Sequence, residues 1–399
     1  MLSDHPTRRI LQGEEDTLLR KHFSQPSISL LRFSLWPAIL LLALCGCRSP
    51  QPAFFPIGLY EVNDPANFAA VRAAGFNLVT TLPKRELLDA ADREGLKVMA
   101  LPGTQAGHSF SAVEARRTIA RLDRHPALWA WYLCDEPDLN AVDPEALLNA
   151  HHFLKHIGAR KPTAAVLMSG SAALYYANIT DILMLDQYPV PWKPLCTFPQ
   201  HLRMARLALG TRKPLFAVIQ AFDWRYDQEA LGLKTNFRPP TYEEMRCMTY
   251  CALQSDAAGL FYYGYVNRGW RLPEHPECWL ALQKIVGEVR GRLPLFQAEA
   301  AWWPFDQDYS LPESGWNESW QASVSLALRV VRRGNRETPA GRYVVAVNST
   351  GRNLEDRMLV AGLNIMNIAV LGENRSLPCV KGWITDQFGP YAVHIYGPF

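Results

Sequence analysis

From residue 54 onward, short apolar runs alternate with amphipathic stretches. The apolar runs fall at 55–62, 77–82, 97–102, 128–134, 164–168, 182–188, 215–222 and 259–265, each of strand length. The stretches between them, at 67–74, 84–94, 112–122, 144–157, 202–209 and 242–254, repeat apolar positions at helical spacing. Gly75, Gly95, Gly158 and Gly210 close four of these, where a helix end favours a left-handed residue. The fifth helix, around 172–178, has the weakest pattern. Eight strands alternating with helices over about 240 residues predict an α/β fold, a (β/α)8 TIM barrel. A doubly wound sheet would carry a Gly-rich loop after its first strand, and none stands there.

Beyond about residue 300 the rhythm changes. Runs at 322–331, 343–348, 367–371 and 391–396 read as short strands between Gly- and Asn-bearing turns, with no helical stretch separating them. The expected organisation is a barrel over 54–297 followed by a small all-β sandwich domain over 298–399.

Composition narrows the function classes. The chain has 399 residues, is 48% hydrophobic and carries a net charge of +3, enough apolar sequence for one large core and a smaller one. A charge so near zero gives no reason to expect a nucleic-acid partner. Cys134, Cys196, Cys247, Cys251, Cys278 and Cys379 are too irregular for a disulfide framework or a zinc site, and read as buried thiols. His152 and His156 have one-turn spacing but no accompanying zinc signature, so neither a metal nor an organic cofactor is expected.

The chain opens with an address. Arg20, Lys21 and Arg32 precede an apolar run at 35–45, too short for an ordinary membrane helix, as in a secretory signal. It ends Leu44-Cys45-Gly46-Cys47, which resembles the lipobox of bacterial lipoproteins, with Cys45 departing from the usual small residue. That resemblance implies a signal peptide over 1–46, lipidation of Cys47 and a short tether over 47–53. It also implies export to the bacterial cell envelope, with the protein held by its lipid at the outer membrane or another extracytoplasmic face.

The most informative stretch is 128–137, Leu-Trp-Ala-Trp-Tyr-Leu-Cys-Asp-Glu-Pro, where a strand runs into adjacent carboxylates and is stopped by proline. Strict alternation puts Trp129, Trp131 and Leu133 on the outer face and Ala130, Tyr132, Cys134 and Glu136 on the inner one. Glu136 then stands at the barrel mouth, where such folds keep acids and bases, with Asp135 beside it. The other strand ends supply Tyr60 and Glu61, Asp186 and Tyr188, Gln220, Asp223 and Trp224, and Tyr262 and Tyr263, with Trp192 in the loop after the sixth strand. Carboxylates among aromatic rings suit sugar chemistry: an acid protonates the glycosidic oxygen, and flat rings stack on the CH face of a pyranose. Tyr263 and Tyr265 share a face opposite Tyr262, so not all three reach the interior. Trp192 and Trp224 are the better stacking candidates, ahead of Trp270; Trp302 and Trp303 are expected at the domain interface.

Asp135-Glu136-Pro137 closing the fourth strand, with Tyr188-Pro189 after the sixth, resembles the glycoside hydrolase barrel superfamily of the clan A type. The resemblance covers 54–293 and implies a carbohydrate substrate or ligand, with Glu136 as general acid/base. One position departs: Gln220 stands where that clan places a nucleophilic glutamate, and an amide cannot form the glycosyl ester. Three readings remain open. Asp223 supplies the carboxylate; or Asp135 orients a substrate acetamide that acts as nucleophile while Glu136 protonates the leaving oxygen; or the barrel binds glycans without cleaving them.

Overall fold

The computed structural model describes residues 54–399, except 105–109, 212, 228–235, 302–304, 308–323 and 361. The signal peptide, Cys47 and the tether lie outside the described residues, as do Trp302 and Trp303.

Each helix–strand unit follows from local chemistry. β1 (Ile57–Leu59) leads to α1 (Phe68–Ala73), β2 (Leu78–Thr80) to α2 (Arg85–Arg93), and β3 (Lys97–Ala100) to α3 (Ala112–Leu122). β4 (Leu128–Asp135) leads to α4 (Pro144–His156), and β5 (Thr163–Leu167) to a short α5 (Ala173–Tyr176). β6 (Ile182–Gln187), α6 (Thr197–Leu209), β7 (Leu215–Gln220), α7 (Tyr242–Gln254) and β8 (Gly259–Tyr263) complete the series. Ser111 caps α3 and Asp143 caps α4, while Thr241 and Glu244 form a reciprocal capping box on α7. Gly95 ends α2 with φ of 68°, letting Leu96 N–H reach back to Ala91 O at 2.8 Å.

The eight strands pair in chain order, all parallel, and β8 closes on β1 through Ile57–Leu260, Gly58–Phe261 and Leu59–Tyr262. Side chains fill the barrel as two clusters. Met99, Ala130, Tyr132, Val166, Met184, Phe216, Val218 and Phe261 pack inside, and a larger core lies between strands and helices. The barrel is therefore a packed core with its chemistry displaced to the strand ends. The fifth helix is short, a 3-10 turn at Gly170–Ala172 running into α5.

After β8 come the hairpin β9 (Val266–Asn267) and β10 (Trp270–Arg271), then α8 (Pro276–Gly291) and α9 (Leu293–Phe296). The remaining strands are β11 (Glu299–Ala300), β12 (Phe305–Gln307), β13 (Ser325–Val331), β14 (Gly341–Val347), β15 (Leu354–Val360), β16 (Asn367–Val370), β17 (Arg375–Pro378), β18 (Trp383–Phe388) and β19 (Val393–Tyr396). They form a six-stranded sheet, β11-β13-β14-β19-β16-β17, and a three-stranded one, β12-β15-β18. Val344, Met358, Ile384, Phe388 and Tyr396 pack in the core they share. β15, β17 and β18 escape the apolar-run reading because half of each is polar: β18 alternates buried Ile384, Asp386 and Phe388 with more exposed Trp383, Thr385 and Gln387.

The sandwich is joined to the barrel by apolar packing and by buried polar contacts. Tyr343, Val345, Val347, Val393 and Ile395 belong to the barrel's outer core. Gln254 of α7 donates to Ser325 O at 2.8 Å and Val345 O at 3.0 Å, and accepts from Ser325 Oγ at 2.7 Å. Arg329, 3% exposed, donates to Asp256 and to Leu253 O at the same junction.

The barrel interior leaves no slack at β1. A Cβ on Gly58 would fall 2.3 Å from Phe261 Cε1. Gly58→Ala is expected to lower stability by about 1–3 kcal/mol, read as a lower urea midpoint at unchanged slope. An unaltered midpoint would show that the Phe261 ring moves aside freely.

Candidate active site at the mouth of the barrel

β4 departs from strict alternation. Against β3 it pairs Leu128 with Val98 and then Ala130 with Met99; against β5, Tyr132 with Ala164 and then Cys134 with Ala165. Each skipped residue is a β-bulge that exchanges the faces beyond it. Trp129 therefore packs on the interior cluster and Cys134 on the outer core, the reverse of the alternating expectation, while Ala130 and Tyr132 stay inside. Asp135 is turned inward, where the Tyr132 hydroxyl donates to its Oδ1.

Glu136 follows with φ of 40°, and Glu61 after β1 has φ of 61°. For residues with a Cβ this left-handed conformation costs on the order of 1–3 kcal/mol, so the surrounding contacts must hold it. Asn140 donates to Glu136 O through its backbone N–H and its side-chain amide, both at 3.0 Å. Thr80 Oγ1 accepts from Glu61 N at 2.8 Å. Asp138 ties the same loop to the end of β5 by accepting from Met168 N at 3.0 Å and Ser169 N at 2.8 Å.

Asp186, 4% exposed, comes in from β6. Its Oδ2 accepts from the Tyr188 hydroxyl at 3.0 Å, and its buried Oδ1 meets no N–H or O–H of the protein. The Glu136 carboxyl faces it within hydrogen-bonding reach. Repulsion between two such carboxyls favours keeping a proton on the pair. Burial, then the Asp135 charge, push Glu136 up to about 7. Burial also raises Asp186 well above the carboxylate range, reinforced by Glu136 and Asp135, and raises Asp135 against the opposing hydrogen bond from Tyr132. Glu61, at the rim, is raised by desolvation and then by Asp135.

Aromatic rings wall the site. Tyr188 and Tyr263 stack at 5.4 Å, and Tyr60 meets Tyr263 edge-on at 5.7 Å and Tyr132 at 6.0 Å. Trp224 extends the wall, 6.1 Å from Tyr188 and 6.0 Å from Trp192. A cavity of about 150 Å³ opens over the ends of β1–β4 and β8, lined by Tyr60, Glu61, Thr80, Met99, Tyr132, Asp135 and Tyr263 among others.

Of the residues singled out from the sequence, Tyr60, Glu61, Asp135, Glu136, Asp186, Tyr188 and Tyr263 thus converge, with Trp192 and Trp224 beside them. Others lie elsewhere. Gln220 is fully buried, its amide accepting from Val190 N at 2.9 Å and donating to Val190 O at 2.8 Å and Phe222 O at 3.2 Å. It staples the loop after β6 to β7 and faces no open space. Asp223 is taken up by Arg225, whose backbone N–H donates to it at 2.8 Å. Tyr262 points outward to Thr249 of α7 at 3.0 Å. Trp270 is buried against His275, with ring centroids 3.7 Å apart. Tyr132, Asp138 and Asn140 were not among the sequence candidates. The inner-face parity of Tyr132 was a usable signal; the backbone contacts of Asp138 and Asn140 leave none in sequence. Among the described residues no group of three or more His, Cys, Asp and Glu side chains is arranged to hold a metal ion.

No protein-family profile matches the chain, and no curated protein does. Solved structures do. The α-amylase of Geobacillus thermoleovorans complexed with acarbose is 10% identical with a TM-score of 0.51, covering 86% of this chain and 97% of that one. An Anoxybacillus α-amylase gives 11% and 0.52 over 86% and 97% of the two chains. AmyP in complex with maltose gives 8% and 0.54 over 86% and 96%. The chain therefore shares the fold of these solved structures, and at these identities the likeness is one of fold alone.

Because the folded Glu136 carboxyl lies above its ordinary value of 4.5, its contribution to stability is complete below about pH 4.5 and is lost as pH rises through about 7. Glu136→Gln is expected to raise stability by about 1–3 kcal/mol at pH 8 and to change it little at pH 4. Urea denaturation at both values reads this; an equal effect at both would show that Glu136 ionises as an ordinary glutamate.

Proposed function

We propose that this protein hydrolyses a glycosidic bond in an oligo- or polysaccharide, with Glu136 as the general acid/base and Asp135 as its charged partner. One observation carries the reading: Glu136 follows the C-terminal end of β4 in a closed eight-stranded barrel, desolvated beside Asp135, which pushes its carboxyl up to about 7. Such a group holds a proton near neutrality and passes it to a leaving glycosidic oxygen as the bond breaks. The positive charge developing on the sugar ring then faces Asp135, whose position the Tyr132 hydroxyl fixes. The neighbours crystallised with acarbose and maltose support a carbohydrate ligand.

Gln220 takes no chemical part, since its amide is consumed by backbone. The attacking group is either a water or the substrate's own acetamide, with Asp135 orienting it. The same absence of a carboxylate on β7 favours a second reading, a glycan-binding protein without turnover. The sequence at 35–47 supports placing the protein at the bacterial envelope, anchored through a lipid on Cys47. Labelled fatty acid incorporated by the expressing cell and lost in Cys47→Ser would bear out that anchor; incorporation unaffected by the substitution would rule it out.

On a panel of aryl glycosides and polysaccharides that includes N-acetylhexosaminides, Glu136→Gln is expected to lower kcat by about 10²–10⁴-fold. Activity of the parent protein should fall as pH rises through about 7, and Asp135→Asn should move that limb to lower pH by removing a charge that holds the Glu136 proton. Retained glycan binding with no turnover anywhere on the panel would leave the binding reading in its place.

A further inference from the structure

The site is acidic without compensation. Glu61, Asp135, Glu136 and Asp186 come from β1, β4 and β6, and each charge that acts on them belongs to another carboxyl, Asp138 included. No Lys, Arg or His lines the cavity among the described residues. The contrast with the sandwich junction is sharp: there Glu288 is held by Arg246 at 2.8 Å and by Arg292, and although burial pushes its carboxyl up, the hydrogen bond and charge of Arg246, with Arg292, pull it below its ordinary value. Buried Glu244 and Asp386 are likewise paired with guanidinium groups, those of Arg238 and Arg375. At the mouth the carboxyls have no such partner among the described residues.

Two further features say what would answer that charge. Glu61 and Asp135 both line the cavity, and burial followed by the Asp135 charge raises the Glu61 carboxyl. Asp186 Oδ1, in a side chain 4% exposed, meets no N–H or O–H of the protein. The site thus supplies acceptors and negative charge in excess of its own donors. Neutral sugar hydroxyls satisfy acceptors but leave the charge; an acetamide offers one N–H and no charge. An ammonium offers three donors and the missing positive charge.

Building on the glycosidase reading above, we propose that the substrate is an amino sugar with a free amine, a de-N-acetylated hexosamine unit whose ammonium sits in the cavity between Glu61 and Asp135. A sugar of this kind has no acetamide oxygen, so cleavage of it uses water as the attacking group, and the acetamide-assisted route drops out. Tyr263 and Tyr60 offer ring faces and edges to the apolar side of the same sugar.

The test uses matched glucosamine and galactosamine oligomers, fully acetylated or fully de-N-acetylated, with the corresponding neutral hexose oligomers. Binding is measured by calorimetry on Glu136→Gln, and turnover on the parent protein. Binding of a de-N-acetylated oligomer roughly tenfold or more tighter than its acetylated and neutral counterparts is expected, weakening as salt is added. Glu61→Gln should abolish most of that preference, raising KM for the amine substrate while leaving its kcat nearly unchanged. Equal or tighter binding of acetylated or neutral oligomers overturns the proposal, and their cleavage would do so while upholding the hydrolase. Preferential binding of the amine oligomer without turnover upholds the proposal and removes the hydrolase.

Discussion

Burying like charges together is the constraint around which this molecule is arranged. Asp135, Glu136 and Asp186 are brought from two strands into a mouth walled by tyrosines, where desolvation raises all three. A carboxylate in such surroundings keeps its proton or finds a donor. Tyr132 donates to Asp135 and Tyr188 to Asp186, and the Glu136 carboxyl lies within hydrogen-bonding reach of Asp186. Burial also raises the Tyr132 and Tyr188 hydroxyls well above their ordinary value, with Asp135 and Asp186 adding to it, so both remain donors at any ordinary pH.

Holding that cluster needs a rigid frame, and the fold supplies it in layers. Closure of the eight strands fixes where β4 and β6 end, and the ring-filled interior prevents their sliding. The loop after β4 is then pinned from three directions, by Asn140, by Asp138 against β5, and by the Tyr132 hydroxyl. Gln220 does the equivalent for the loop after β6, which carries Tyr188 and Trp192. Its glutamine is thus explained by backbone bonding: a glutamate there would leave Val190 O and Phe222 O without their donor. The sandwich, sharing core residues with α7 and α8, braces the barrel on the flank of β7 and β8.

The two bulges in β4 show how a small backbone irregularity decides chemistry. In a regular strand Asp135 and Glu136 would point to opposite faces. The skipped Leu133 sends Cys134 outward and Asp135 inward, and the left-handed turn at Glu136 brings that side chain back to the same mouth. Adjacent carboxyls thereby reach one site, which strict alternation forbids.

What the sequence determined by itself was what depends on local period and local chemistry. The eight strands and their order, the longer helices with Ser111, Asp143 and Thr241 at their starts, and the change to an all-β domain near residue 300 all follow from spacing and capping that neighbours along the chain enforce. So does the placing of Tyr60, Glu61, Asp135, Glu136, Asp186, Tyr188 and Tyr263 at strand ends, since a parallel barrel sends every strand's C-terminus to one face. Only the tertiary structure decided the rest. Register slips depend on the partner strand, so Cys134 and Trp129 changed faces unseen. Tyr262 and Gln220 were claimed by α7 and by the loop after β6, elements distant in sequence. The half-polar strands β15, β17 and β18 acquire their apolar face only against the opposite sheet. The raised carboxyls, finally, are a property of no residue alone: desolvation and repulsion arise when Glu136 and Asp186, 50 residues apart in sequence, are delivered to one mouth by the ends of β4 and β6.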